Sequence, residues 1–138
     1  MTEKEFDIAY AETLRYCQIV EHDVKMILAL LQEGNPEENL IAIENERNTL
    51  GEIIHAIRDL DHDQQEPFFT PNDYRVLRSI RDERNHFVHQ AYAEFLYDKT
   101  GTKYPEECAR LQKFHDNMVK MARATQHARL YAAKKFKK

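Results

Sequence analysis

The chain of 138 residues has the size of one domain and carries a formal net charge of −4 at pH 7. Hydrophobic residues make up 42% and charged residues 32%, with only 3 Gly and 4 Pro. This balance excludes a disordered or collagen-like chain and a turn-rich β-sandwich or barrel, and it favours long helices. The net acidity argues against nucleic-acid binding by the whole surface, but it allows a local basic site.

Membrane and secretory signals are missing from the amino-acid pattern. No apolar run approaches the ~18 residues that cross a bilayer, and the polar, acidic first residues predict no signal peptide. Cys17 and Cys108 fall on helical apolar stripes, so we expect two buried thiols rather than a disulfide framework. The pattern therefore predicts a cytoplasmic protein without membrane contact.

Capping signals mark the helices of the first half of the chain. Thr2-x-x-Glu5 is a capping box that opens a long amphipathic helix, and Gly34-Asn35-Pro36 ends it. Pro36 suits the first turn of a second helix. A second capping box, Thr49-x-x-Glu52, predicts a break near Asn48 and a further helix after it.

The second half of the chain contains two longer helical patterns. The segment 70–73, Thr-Pro-Asn-Asp, is a helix entry, and apolar periodicity continues from it to Tyr97. A last helix is predicted to start near Pro105. The sum is an all-α fold, an antiparallel bundle of four to five helices, in a single domain over residues 1–138.

The segment 84–89, Arg-Asn-His-Phe-Val-His, combines groups that suit phosphate chemistry. At 100° per residue Asn85 and His89 share one helix face, and the long Arg84 side chain reaches towards it. A guanidinium fork binds phosphate oxygens, and an imidazole titrates near neutral pH. The structural alternative is an ordinary helix face, on which Arg84 pairs with Glu83 or Asp82 and His89 caps the edge of the core.

This motif resembles that of the HEPN superfamily of small helical bundles, which is Arg, four to six residues and then His, often with Asn after the Arg. The resemblance implies a metal-independent endoribonuclease whose two motifs form one site across a homodimer. Arg84 then stabilises charge on the phosphate, Asn85 orients the phosphate or His89, and His89 is the general acid or base. Tyr92 and His86 are further candidates for substrate contact, although a solvated histidine is favoured at position 86.

The implied reaction is attack by the ribose 2′-hydroxyl, which leaves a 2′,3′-cyclic phosphate. The implied partners are RNA, a second copy of the chain and a nucleotidyltransferase-type antitoxin, in a toxin or defence role; no DNA partner is expected. Two alternatives stay open. One is a non-catalytic HEPN-like module that binds a nucleotide or a partner's phosphate, and the other is a purely structural interaction protein.

Two further patterns bear on the site. Glu21-x-x-x-Lys25 resembles a polar pair near the cleft of some HEPN members, but an ordinary i,i+4 salt bridge is favoured. Asp59-x-Asp61-x-Asp63 begins like a calcium loop, but Gly and Glu are missing from the positions where such a loop needs them. The histidines also lack zinc-ligand spacing, so we expect no metal and no other cofactor.

Overall fold

The computed structural model describes residues 1–46, 48–64 and 66–136. Within these residues the chain forms six helices and no strand, which confirms the all-α prediction. The helices are α1 (Glu3–Leu31), α2 (Pro36–Asn45), α3 (Leu50–His62), α4 (Pro71–His89), α5 (Ala91–Leu96) and α6 (Lys103–Lys135). None of these described helices combines the length and the hydrophobicity that crossing a bilayer requires.

Threonine side chains cap three helices at the predicted positions. The hydroxyl of Thr2 accepts a hydrogen bond from a backbone N–H in the first turn of α1. Thr49 and Thr70 form complete capping boxes at the starts of α3 and α4. The predicted break near Asn48 is confirmed, because α2 ends before it and α3 begins after it.

The two longest helices lie side by side and run parallel. Their cross-contacts pair low residue numbers with low and high with high: Met1 with Tyr104, Glu12 with His115, Asp23 with Thr125. By contrast α4 runs antiparallel to α6, since Glu83 contacts Arg110 while His86 contacts Glu107. It is therefore antiparallel to α1 as well. The predicted antiparallel arrangement thus holds for α4 but not for α1 and α6, which point the same way.

The predicted single helix from Thr70 to Tyr97 is interrupted at Gln90. Its φ of −126° departs from the helical value near −63°, and it separates α4 from α5. The interruption turns Tyr92 and Phe95 into an aromatic cluster with Phe6. Burial of these rings compensates for the lost helical regularity.

A fully buried carboxylate organises the connection before α4. Both oxygens of Asp61 accept hydrogen bonds, from the backbone N–H groups of Phe68 and Phe69 and from the Tyr74 hydroxyl. Burial, followed by the bond to Asp61, raises the pKa of Tyr74. Both carboxylate oxygens of Asp61 are thus already used as hydrogen-bond acceptors within the chain. Among the described residues, no group of side chains could hold a metal ion.

Candidate functional site

The residues of the Arg–Asn–His motif occupy the last turns of α4. Asn85 and His89 are exposed, and no described residue forms a hydrogen bond or an ion pair with either side chain. Phe87 is buried and anchors this turn in the core. Val88, the next residue of the motif, is 48% exposed.

Arg84 lies against α1, where its guanidinium donates to the carboxylate of Glu21. Neither Glu83 nor Asp82 forms an ion pair with Arg84. The local pairing that the structural alternative predicted is therefore wrong. The expected i,i+4 salt bridge of Glu21 with Lys25 is also absent among the described residues. Both Glu21 and Lys25 instead line a cleft together with Arg84.

Cys17 lies one helical turn before Glu21 and is buried, as predicted. Burial raises the pKa of its thiol to about 11, while the positive charge of Arg84 acts in the opposite direction. Arg84 is therefore close enough to act electrostatically on the core beneath the ion pair. Cys108 differs from the expectation, because its side chain is partly exposed.

His86 points away from Asn85 and His89, into the interface between α4 and α6. Its Nε2 lies 2.7 Å from a carboxylate oxygen of Glu107, and the two side chains are 11% and 9% exposed. Its Nδ1 lies 3.4 Å from the side-chain oxygen of Gln90. A solvated histidine was the favoured expectation at this position, but the structure makes it a helix-to-helix contact.

Tyr92 also lies apart from the motif side chains. Its hydroxyl donates to Asp7 near the start of α1, and its ring packs edge-on against Phe6 and Tyr10. Burial, followed by the bond to Asp7, raises the pKa of the Tyr92 hydroxyl. The structure thus brings Arg84, Asn85 and His89 to one end of α4, but it directs His86 and Tyr92 to other neighbours.

Two adjoining clefts beside the motif share the side chain of Arg81. The larger has a volume of about 550 Å³, lies between α3 and α4, and includes Arg58 and Arg78 in its lining. The smaller has a volume of about 310 Å³ and includes Lys25 and Arg84. We call these five cations and the two clefts the basic groove.

The basic groove is positive although the chain is acidic. Its five cations face two lining carboxylates, Glu21 and Asp82. The chain as a whole has a formal net charge of −4. A surface of this kind attracts phosphate groups locally while the remaining surface repels them. No single sequence motif indicated this groove, because its cations come from three helices.

The chemistry available at the motif is a cation beside an exposed amide and an exposed imidazole. Arg84 can stabilise a negative phosphate, but only in exchange for its bond to Glu21. His89 can accept or donate a proton to a molecule that binds at the end of α4. Among the described residues, one copy places the His89 imidazole at the motif, and His55 adds an exposed imidazole to the lining of the larger cleft.

We compared the chain with known proteins. No family model, curated protein or solved structure matches it.

Proposed function

We propose that the protein is a metal-independent endoribonuclease of HEPN type, with a composite site across a homodimer. The observation that carries this proposal is the exposure of Asn85 and His89 at the end of a positively charged groove that includes Arg84. A phosphodiester needs a cation for its oxygens and titratable groups near the attacking and leaving oxygens.

Two copies of the motif complete the proposed reaction. His89 of one copy takes the proton of the ribose 2′-hydroxyl, and the 2′-oxygen forms a bond to phosphorus. The bond from phosphorus to the 5′-oxygen breaks, and protonated His89 of the other copy gives its proton to that oxygen. The products are a 2′,3′-cyclic phosphate and a 5′-hydroxyl, while the Arg84 side chains stabilise the charge on the phosphate.

Contact between the two copies rests on the family resemblance, which implies one site across a homodimer. Val88 is 48% exposed one residue before His89. A single exposed apolar residue is ordinary on a protein surface, so it does not by itself indicate an interface. A toxin or defence role, a nucleotidyltransferase-type antitoxin and a cytoplasmic location belong to the same proposal and rest on the family resemblance.

A non-catalytic module that binds phosphate is the second candidate. The Arg84–Glu21 ion pair favours it, because the guanidinium is already neutralised within one chain. No described residue orients the His89 ring, as a partner carboxylate does in many acid–base sites. This candidate predicts that RNA or nucleotide binds without turnover, and that His89→Ala leaves the affinity almost unchanged.

The test is cleavage of a mixed RNA substrate by pure protein in EDTA, with the product ends analysed for cyclic phosphate. His89→Ala and Arg84→Ala are each expected to lower the rate by roughly 10²–10⁴-fold. His127→Ala is the matched control, since His127 is exposed on α6, away from the motif. Cleavage that survives both motif substitutions contradicts the proposal, and binding without cleavage by a folded dimer favours the second candidate.

A further inference from the structure

The arginines of the larger cleft differ from those that join helices. Arg110 and Arg129 form ion pairs with carboxylates on other helices. Arg58, Arg78 and Arg81 are exposed, and no described carboxylate forms an ion pair with any of them. Asp82 lines the same cleft but forms no ion pair with any of the three. The three guanidinium groups therefore outnumber the one lining carboxylate, so an anionic ligand there would relieve an electrostatic cost.

The face of α4 that lines the cleft continues towards the candidate site. Arg78, Arg81, Asn85 and His89 recur at steps of three and four and are all exposed, so they lie along one face of α4. At 1.5 Å per residue, Arg78 and His89 are roughly 16 Å apart along the helix. That length corresponds to about five nucleotides of a stacked strand at a rise of 3.4 Å.

The side chains of the cleft fit a phosphate backbone better than they fit bases. Its lining contains no Phe, Tyr or Trp, and its one aromatic ring is the imidazole of His55, which lies 3.5 Å from the Asp59 carboxylate. The apolar side chains Ile54 and Leu77 are only 1% exposed and belong to its floor. The exposed side chains of the lining are this imidazole, the Asp82 carboxylate and three guanidinium groups, and the guanidinium groups contact phosphate without reading sequence.

From these observations we infer that the cleft between α3 and α4 holds the phosphate backbone of single-stranded RNA and leads the strand to the motif. This inference rests on the proposed function and deepens it. We assign a single strand as the occupant because a cleft of about 550 Å³ between neighbouring helices can enclose one backbone but not both strands of a duplex. Recognition there is independent of base sequence and depends strongly on salt.

The experiment measures binding of a fluorescent 2′-O-methyl oligouridine by anisotropy at several salt concentrations. This probe lacks the 2′-hydroxyl, so it binds without cleavage and separates the inference from the proposed reaction. For single strands the slope of log affinity against log salt is about 0.7 per phosphate contact. The triple variant Arg58→Gln/Arg78→Gln/Arg81→Gln should lower the magnitude of that slope by about 2, and at about 0.1 M salt its affinity should fall on the order of 100-fold.

The matched control is Arg15→Gln/Lys113→Gln/Arg123→Gln, which removes three exposed positive charges outside both clefts of the basic groove. We expect it to keep nearly the wild-type slope. An equal loss in both triple variants overturns the inference, because it shows an effect of net charge alone. If the groove triple does not fold, the single variant Arg81→Gln replaces it, with an expected slope change of about 0.7.

Two competitors test the identity of the occupant. A duplex of the same length should compete much less well than the single strand, and equal competition overturns the assignment to a single strand. Polyglutamate of matched charge should also compete poorly, and strong competition by it assigns the cleft to an acidic protein partner instead. If the groove triple variant loses affinity as expected but the wild-type protein does not cleave RNA, the assignment of the cleft to single-stranded RNA is kept and the catalytic proposal fails.

Discussion

The two sides of α4 use the same kinds of residue in different ways. On the side facing α6, Glu83 makes a two-point ion pair with Arg110, with contacts of 2.8 and 3.1 Å. One turn later His86 contacts Glu107 at 2.7 Å. Every charged group in these two pairs has its partner within the chain, so this side holds two helices together.

The side facing α3 and the end of the bundle is open. Arg78 and Arg81 enter the basic groove, and no described carboxylate pairs with them. Asn85 and His89 continue along this side and are exposed. The difference shows that residue type alone does not identify a site on this helix, because a histidine lies on each side of α4 and an arginine lies beside each, on one side Arg110 of α6. What separates the two sides is whether the protein itself supplies the partner.

The sharpest test of this difference compares the two histidines of α4. His86→Ala should lower the free energy of unfolding by about 1–3 kcal/mol, because it leaves the Glu107 carboxylate largely buried without its partner. His89→Ala should change it by less than about 0.5 kcal/mol, because that side chain is exposed. Urea unfolding followed by circular dichroism gives both values. Equal losses would remove the distinction between the two sides.

The ion pair between Glu21 and Arg84 offers a second test, because it neutralises the motif cation. Glu21→Gln should strengthen binding of the 2′-O-methyl oligouridine a few-fold and raise the magnitude of the salt slope by about 0.7, since one guanidinium becomes free for phosphate. The stability should fall by at most about 1 kcal/mol, because both side chains are partly exposed.

Glu12→Gln is the control for this substitution, since Glu12 pairs with His115 far from the groove. We expect it to leave the oligonucleotide affinity unchanged. Weaker binding by Glu21→Gln than by wild type would mean that the carboxylate positions Arg84 for the ligand rather than competing with it.

The smallest expected effect concerns the thiol of Cys17, which lies beneath the ion pair of Arg84 with Glu21. Burial raises the pKa of Cys17 to about 11 from an ordinary value of 9.0. The unfolded chain therefore ionises first, so this group's contribution to stability is complete below pH 9 and is lost as the pH rises towards 11. At pH 8 iodoacetamide should modify Cys108 and spare Cys17 in the folded protein, as mass spectrometry can show. Equal modification of both thiols would contradict the burial of Cys17.

Local signals predicted most of the helical frame. The predicted capping box at Thr49, the helix entry at Thr70 and the break near Asn48 are all present, because each depends on residues within one turn. The interruption at Gln90 was missed, since no Gly or Pro marks it. It is favoured by aromatic contacts with Phe6, which lies far away in the chain.

Long-range partners explain the remaining differences at the candidate site. Arg84 and Glu21 are 63 residues apart in the sequence, whereas spacing along the chain suggested Glu83 or Asp82. Tyr92 and Asp7 are 85 residues apart, and their contact directs the Tyr92 hydroxyl to α1. Such pairs have no local periodicity, so a single sequence carries no signal for them.

The sequence by itself determined that the chain is helical, where most helices begin, and that Asn85 and His89 share one face of α4. These properties follow from backbone capping and from the 3.6-residue period, which act over a few residues. Only the tertiary structure decided that His86 lies in a helix interface, that Glu21 holds Arg84, and that arginines of α3 and α4 form one groove. Those outcomes depend on which helix faces meet, and packing of the whole core sets that arrangement.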